Sequence, residues 1–516
     1  PGPNRMNRAL VRRVSAGLAA YVGAQAPGGR VVIGFDGRNG SREFAEDTAR
    51  VLGEAGLDVM LFDEVCPTPV LAHAVVFVGA AAGVMVTASH NPPEDNGYKV
   101  YWSNGAQIVA PHDAGISAAI DAVDTPMGVP ELADLRAAGI VREVPPEAHA
   151  DYLARVKALR VHPDAPTGLR IVYTAMHGVG TATVREVMED VGYTLTLVAA
   201  QAEPDGDFPT VRFPNPEEPG ALDLAKALAA EVDADIVVAN DPDADRLAVV
   251  VPTADGWRQL SGNEVGCLLA EDLLANGPTD RERLVATTIV SSTLLSRIAA
   301  AHGAVYAETL TGFKWIANAA IPFDANGGRF VMGYEEALGY SVGDVVRDKD
   351  GVSAVLLFCD LAAHLKQRGE TVLDALEALY RQHGVHAARQ VSLKGPGAEG
   401  ARRIQALMAR LRDKELATLA GRDVVTRTDV LTGTRIDLQT GDLQRVDLPK
   451  SNVLAWTLDD GSRVLARPSG TEPKIKFYYE AVVRMADGER LDAAEARAQA
   501  RVDQLVAAFE QYAGPL

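Results

Sequence analysis

Three times along this chain, runs of small and branched apolar residues alternate with stretches of helical periodicity. No other feature constrains the fold as much. Strand–helix–strand units bury their apolar faces by layering helices on sheets, which makes an α/β architecture the expectation. In the first segment the expected strands are 30–35, 57–62 and 82–88, with a returning strand at 97–102. Helices are expected over 41–55, with Ser41 as N-cap, and over 69–78. The rhythm restarts after a Pro-rich break at 163–166, with strands 169–175, 194–198, 235–239 and 247–251 and helices 181–191 and 221–232. It restarts near Arg281, with strands 284–290, 305–308 and 329–332 and helices 292–302, 352–368 and 372–383. From about residue 390 the pattern changes to a helix over 401–411, several short strands and a long final helix over 492–512. The domains are therefore expected at 1–160, 161–279 and 280–389, all α/β, and at 390–516, a smaller α+β unit.

Bulk properties narrow the function. A chain of 516 residues is too long for one core. Its 47 % hydrophobic content is that of a soluble globular protein. A net charge of −19 argues against a nucleic-acid partner. An anionic small substrate stays open, since a local cluster of Arg and Lys can oppose the global sign. Cys66, Cys267 and Cys359 are scattered in apolar contexts without metal-ligand spacing. They read as buried thiols in a reducing compartment, so a cytoplasmic location is expected. No apolar run approaches the roughly 18 residues of a membrane span, and there is no signal-peptide pattern. Oligomeric state is not legible, and monomer and homodimer both stand.

Five stretches carry chemistry. The apolar run 82–88 leads into Ser89 and His90, and Asn91-Pro-Pro93 stops it. Two successive prolines fix φ and remove two amide donors, so a hydroxyl and an imidazole sit on a stiff loop at a strand end. A serine so placed is either a nucleophile awaiting activation or part of a turn. Asp241, Asp243 and Asp245 alternate between two apolar strands, and alternate residues of a tight loop face the same way. Three converging carboxylates need a cation, and hard oxygen donors with open positions suit Mg2+. An EF-hand loop is excluded because Arg246 stands at its sixth position and Pro252 at its twelfth. Arg467-Pro-Ser-Gly-Thr-Glu-Pro-Lys474 combines a freed backbone, hydroxyls and positive charge, which suits holding a phosphate. Gly333-Tyr-Glu-Glu336 sets two carboxylates at a strand end, fit to accept hydrogen bonds from sugar hydroxyls. Thr311-Gly-Phe-Lys314 offers a lysine to a phosphate.

Taken in chain order, Thr87-Ala-Ser-His-Asn-Pro92, Asp241-Pro-Asp-Ala-Asp-Arg246, Gly333-Tyr-Glu-Glu336 and Arg467-Pro-Ser-Gly-Thr-Glu-Pro473 resemble the four signature loops of the α-D-phosphohexomutase family. They cover essentially the whole chain, one per domain. Thr174-Ala-Met-His-Gly178, Phe213-Pro-Asn-Pro-Glu-Glu218 and Lys349-Asp-Gly-Val-Ser353 are most similar to its phosphoglucomutase and phosphopentomutase branch. The resemblance implies three α/β domains with mixed sheets and a C-terminal α+β domain, arranged around a central cleft. It implies a phosphosugar mutase interconverting hexose 1-phosphate and hexose 6-phosphate, with glucose phosphate as the leading substrate and mannose phosphate next. Ser89 would carry the phosphoryl group, and Asp241, Asp243 and Asp245 with the Ser89 phosphate would hold Mg2+. His90 and Lys99 would flank the reacting hydroxyl, with Lys99, in Asn96-Gly-Tyr-Lys99, as general acid/base. Arg246, Thr311, Gly312, Lys314, Glu335 and Glu336 would bind the sugar. Arg467, Ser469, Gly470 and Thr471 would hold the far phosphate. A sugar 1,6-bisphosphate would prime the cycle.

The resemblance has departures. Tyr334 replaces a Gly of the phosphoglucomutase sugar loop and Ala337 its Ser, so one sugar contact is expected to be lost or made elsewhere. The family's Gly-Thr-x-Gly-x-Arg segment precedes the run with which this chain opens. The numbering is therefore expected to begin downstream of the natural start, and a chain truly lacking that segment is expected to be impaired. Three other readings compete: a phosphopentomutase, a serine-nucleophile metal phosphohydrolase, and a non-catalytic sugar-phosphate-binding protein. The hydrolase is disfavoured because the ten His form no metal-binding cluster.

Overall fold

Strand Arg30–Phe35 is the middle of a five-stranded mixed sheet ordered Lys99–Trp102, Ala82–Val86, Arg30–Phe35, Asp58–Leu61, Val141–Glu143. Its neighbours run parallel to it, and only the edge strand Lys99–Trp102 is antiparallel. Val31, Val32, Ile33, Val84 and Met85 are wholly buried. This is the continuous apolar pattern expected when helices cover both faces of parallel strands. The computed structural model describes residues 6–124, 129–469 and 473–515. The chain divides into two compact units. One comprises Pro1–Thr287, His302–Ala307 and Gly312–Val372, and the other Thr288–Ala301, Glu308–Thr311 and Leu373–Leu516.

The first unit holds two further mixed sheets. One is ordered Gly256–Gln259, Ala248–Thr253, Ile236–Ala239, Ile171–Thr174, Leu195–Leu197. The other is ordered Val305–Thr309, Arg283–Thr288, Arg329–Glu335, Gly339–Val342, and the last residues of its edge strand belong to the second unit. Strand Arg329–Glu335 runs three residues beyond the expected end. Met332 to Glu335 pair antiparallel with Gly339 to Val342 and close a hairpin.

Several helices lie outside the elements expected from the sequence. Arg8–Gln25 packs Val11, Leu18 and Val22 inward, and Gly17 is required there because a Cβ would stand 2.5 Å from Ile120 Cα. Gly262–Asn276 carried a legible start signal, the capping box formed by Ser261 and Glu264. Pro146–Lys157 and Phe313–Ala325 were also unexpected. Ser41 is not the N-cap of its helix. Gly40 takes that position at φ 85°, and Ser41 Oγ donates to Asp36 Oδ1 at 2.6 Å instead. Among the described residues no helix is long and apolar enough to cross a membrane. All three cysteines are buried and free, and burial pushes the Cys66 thiol up to about 12.

In the second unit an antiparallel sheet is built on the ten-residue pairing of Val385–Lys394 with Lys474–Val483. The final helix, Leu491–Ala513, lays Val502, Leu505 and Phe509 into a core with Trp456, Phe477 and Tyr479. Glu480 is buried in this unit and fully engaged. It accepts from Ser292 Oγ at 2.6 Å, Thr293 N at 2.9 Å and Arg463 Nε at 2.8 Å, with His386 Nδ1 at 3.1 Å. Burial alone would raise its pKa, but Arg463, ahead of His386, pulls it below the ordinary carboxylate range. Its stabilisation is therefore complete above about pH 4.5 and is lost as the pH falls further. Glu480→Ala, leaving Arg463 buried and uncompensated, is expected to cost about 3–5 kcal/mol in urea unfolding near neutral pH. The native chain's lead over this variant should shrink below pH 4.5, and a difference that grows on acidification would contradict the assignment.

Candidate active site

The serine loop is organised by one guanidinium. Ser89 takes a left-handed backbone at φ 51°, a conformation costing a non-glycine residue about 1–2 kcal/mol. Arg38 holds it there. Its Nη2 donates to the carbonyls of Ser89 at 2.5 Å and Asn91 at 2.6 Å, and its Nη1 to those of Pro92 at 2.8 Å and Asp95 at 3.2 Å. The double proline removes local amide donors, so the buried arginine satisfies the loop carbonyls. Asp36 Oδ2 lies 3.3 Å from Arg38 Nε, behind the loop. Arg38 is not among the site residues expected from the sequence, and its one signal there is Asp36-Gly-Arg38 at a strand end.

The acidic loop joins strands Ile236–Ala239 and Ala248–Thr253, with Ala244 left-handed at φ 56°. Asp241, Asp243 and Asp245 are fully buried, and one carboxylate oxygen from each lies within 4.8 Å of the others. Ser89 Oγ donates to Asp241 Oδ2 at 2.9 Å. Asp243 Oδ2 accepts from Thr68 Oγ1 at 2.6 Å and from Lys99 Nζ at 2.6 Å. Asp245 Oδ2 accepts from Lys99 Nζ at 2.8 Å and has Lys349 Nζ at 3.0 Å. Among the described residues Asp243 Oδ1 and Asp245 Oδ1 are buried without a hydrogen-bond partner. Three hard anionic donors, two of them with an orphaned oxygen, fit a small divalent cation.

The protein supplies its own cations beside the triad. Arg246 Nε lies 3.8 Å from both Asp241 and Asp245, and Glu217 is 3.8 Å from its Nη1. Burial would lower the pKa of Lys99, but Asp243 and Asp245 raise it above its ordinary value. Burial, followed by Asp245 and Asp243, drives the Asp241 carboxyl upward. Asp245 moves down because Lys349 and Lys99 outweigh its burial. His90 Nδ1 lies 3.2 Å from Ser89 Oγ, and burial, with Arg246 next, lowers its pKa to about 3. It is a neutral, weak base at pH 7.

The third loop meets the acidic loop through its backbone. Arg246 forms an antiparallel bridge with Gly339, and Leu247 N donates to Leu338 O at 3.0 Å. Glu335 Oε1 accepts from Gly312 N at 2.7 Å, and burial, then Glu336, raises its pKa to about 7. Tyr334 points into the core. Its ring packs on Gly266, where a Cβ would stand 2.4 Å from the ring, and its hydroxyl lies 3.5 Å from Cys267 Sγ. Successive strand residues face opposite ways, so Tyr334 leaves the Glu335 side untouched. The change from the family pattern on that loop therefore comes down to Ala337. Lys349 was read only as part of a family stretch, yet it pairs with Asp245 and with Asp348 at 3.3 Å. Lys314 Nζ lies 5.7 Å from the Trp315 ring. Thr311, Arg467 and Ser469 belong to the second unit, and Gly470 and Thr471 lie outside the described residues.

Family models match residues 2–127, 148–256 and 261–383 as phosphoglucomutase/phosphomannomutase alpha/beta/alpha domains I, II and III, and 406–508 as the C-terminal domain. A probable phosphomannomutase of Haemophilus influenzae is 41 % identical over 491 residues, 92 % of this chain and 93 % of that protein. The chain belongs to the phosphoglucomutase/phosphomannomutase family. A probable phosphoribomutase of Schizosaccharomyces pombe is 36 % identical, covering 92 % of this chain and 83 % of its own. A phosphoglucomutase of Staphylococcus epidermidis is 36 % identical, covering 92 % and 87 %. The protein is accordingly a phosphosugar mutase. In this phosphoglucomutase/phosphomannomutase family member Arg38 sets where Ser89 stands. Arg38→Ala is expected to lower kcat about a hundredfold, because loss of loop placement by about 1 Å costs that much. Arg38→Lys should recover only part of it. Steady-state kinetics showing a lysine variant at the native rate would contradict the geometry.

Proposed function

We propose that this mutase interconverts glucose 1-phosphate and glucose 6-phosphate through a phosphoserine at Ser89, with mannose phosphate as a second hexose substrate. The observation that carries this reading is the 2.9 Å hydrogen bond from Ser89 Oγ to Asp241 Oδ2, which joins the serine loop to the acidic triad 152 residues away. A hydroxyl at the mouth of three buried carboxylates is poorly placed to attack a carbonyl. It is well placed to carry a phosphoryl group beside a divalent cation.

In this reading Asp241, Asp243 and Asp245, with the Ser89 phosphate, hold Mg2+. When bound, the ion withdraws charge from the group being transferred. Ser89 gives its phosphoryl group to the free hydroxyl of the sugar phosphate, and Lys99, an ammonium, protonates the departing Ser89 oxygen as it takes the hydroxyl proton in return. The resulting sugar bisphosphate turns round in the site. Ser89 then takes the other phosphoryl group, and by the reverse exchange Lys99 protonates the sugar oxygen released as it takes the Ser89 hydroxyl proton. His90, neutral and weakly basic, supports Ser89 rather than drawing its proton. Glu335 and Glu336 grip ring hydroxyls, with Thr311, Gly312, Lys314 and Arg246 as further sugar contacts. Arg467, Ser469, Gly470 and Thr471 hold the far phosphate. A sugar 1,6-bisphosphate starts the cycle by charging Ser89.

The relatives named for mannose, ribose and glucose phosphates leave a second reading, a pentose phosphate substrate. Comparing kcat/KM for glucose 1-phosphate, mannose 1-phosphate and ribose 1-phosphate, each primed with a bisphosphate, separates them. The highest value is expected for glucose 1-phosphate, and a highest value for ribose 1-phosphate would sink the assignment. Ser89→Ala should reduce turnover to background while leaving the fold intact. Asp243→Asn should raise the Mg2+ concentration for half-maximal rate on the order of a hundredfold, since ligand charge sets affinity at such sites. An unchanged Mg2+ titration would rule Asp243 out as a ligand.

A further inference from the structure

A cleft of about 900 Å³ opens within the second unit, and none of its lining residues belongs to the loops described above. Five arginines line it. Helix Leu294–Ala301 contributes Arg297, strand Arg422–Asp429 contributes Arg422, and helix Leu491–Ala513 contributes Arg497 and Arg501. Arg484 follows strand Lys474–Val483. The turn Asp459-Asp460-Gly461 forms another part of the wall.

The arginines are not equally engaged. Arg497 is locked to Glu489 through two hydrogen bonds of 2.9 and 2.8 Å. Arg501 donates to Ala420 O at 2.7 Å and reaches Asp460 at 3.4 Å. These two are scaffold. Arg422 stands 3.7 Å from Asp459 and 3.5 Å from Asp460, looser than a charge-assisted hydrogen bond of about 2.7–2.9 Å. Arg297 donates to His383 O at 3.2 Å and, like Arg484, forms no ion pair among the described residues. Five guanidinium groups thus face three carboxylates, in a chain whose net charge is −19. Like charges gathered against the overall sign of a protein create a local potential that attracts anions. Guanidinium forks match phosphate oxygens in pairs, and the cleft is of the size that takes a small ligand. Leu458 and Val482 supply apolar wall for the body of such a molecule.

We propose that this cleft binds a small, multiply charged phosphate ester, held by Arg297, Arg422 and Arg484 on the scaffold of Arg497 and Arg501. Sugar bisphosphates and nucleoside polyphosphates share this chemistry. The proposal does not depend on which sugar the active site turns over. The test is equilibrium dialysis of the full chain with labelled inorganic pyrophosphate in EDTA, using native protein and an Arg297→Ser/Arg484→Ser double variant. The variant should lose one bound equivalent, or bind it about tenfold to a hundredfold more weakly, with kcat/KM and thermal midpoint unchanged. Ala500→Glu, which adds a negative charge to the exposed wall without removing a native contact, should have the same effect. Glucose 1,6-bisphosphate and ADP compete for that equivalent in separate arms, and the one effective at lower concentration identifies the source. The proposal is overturned if both variants bind pyrophosphate like the native chain. It is also overturned if neither ester displaces it, or if sulfate at equal ionic strength displaces it as well as the esters do.

Discussion

Three carboxylates buried within 4.8 Å of one another are the constraint around which the first unit is arranged. Placed there alone they would repel one another and pay a heavy desolvation cost. Lys99 comes from the edge strand of one sheet, 144 residues before Asp243, and puts its ammonium between Asp243 and Asp245. Lys349, from the segment after strand Gly339–Val342, and Arg246, from the acidic loop itself, complete the neutralisation. The ion pairs that make the triad tolerable therefore also draw together the serine loop, the acidic loop and the segment after strand Gly339–Val342. The same arrangement leaves two carboxylate oxygens without a hydrogen-bond partner among the described residues, a donor set that fits a divalent cation.

Rigidity comes from the opposite pairing, a buried cation among neutral carbonyls. Arg38 collects four loop oxygens, and the loop in turn keeps Ser89 in a conformation it would not hold by itself. Strain of this kind persists only where surrounding contacts over-determine it, and such places are commonly functional. In the second unit Glu480 plays the mirror role, a buried carboxylate surrounded by Arg463, His386 and two hydroxyl residues. Each unit is thus organised around an ion that only folding can satisfy.

Regular elements with strong periodicity were legible in the sequence. Strand Arg30–Phe35 and helix Val372–His383 begin and end where their patterns do. Helix Arg8–Gln25 was missed because three arginines and a scatter of Ala and Gly blur its apolar stripe. The Ser41 cap misled because an acceptor on the preceding strand end, Asp36, competes for its hydroxyl. Lys349 is not legible as a site residue because a lone lysine carries no signal until its partners are known, and the only signal for Arg38 is its place in Asp36-Gly-Arg38 at a strand end.

The sequence alone determined the alternation of strands and helices and the residue types of each loop, since these depend on local periodicity and on prolines and glycines. Tertiary structure decided which charges meet. Lys99 is marked by its motif as a general acid/base candidate, but only the fold brings it beside Asp243 and Asp245, and Tyr334 reads as an altered sugar contact until the pleat turns it onto Gly266. Both outcomes rest on distances between residues remote in the chain, and electrostatic and packing energies follow distance and burial rather than sequence order.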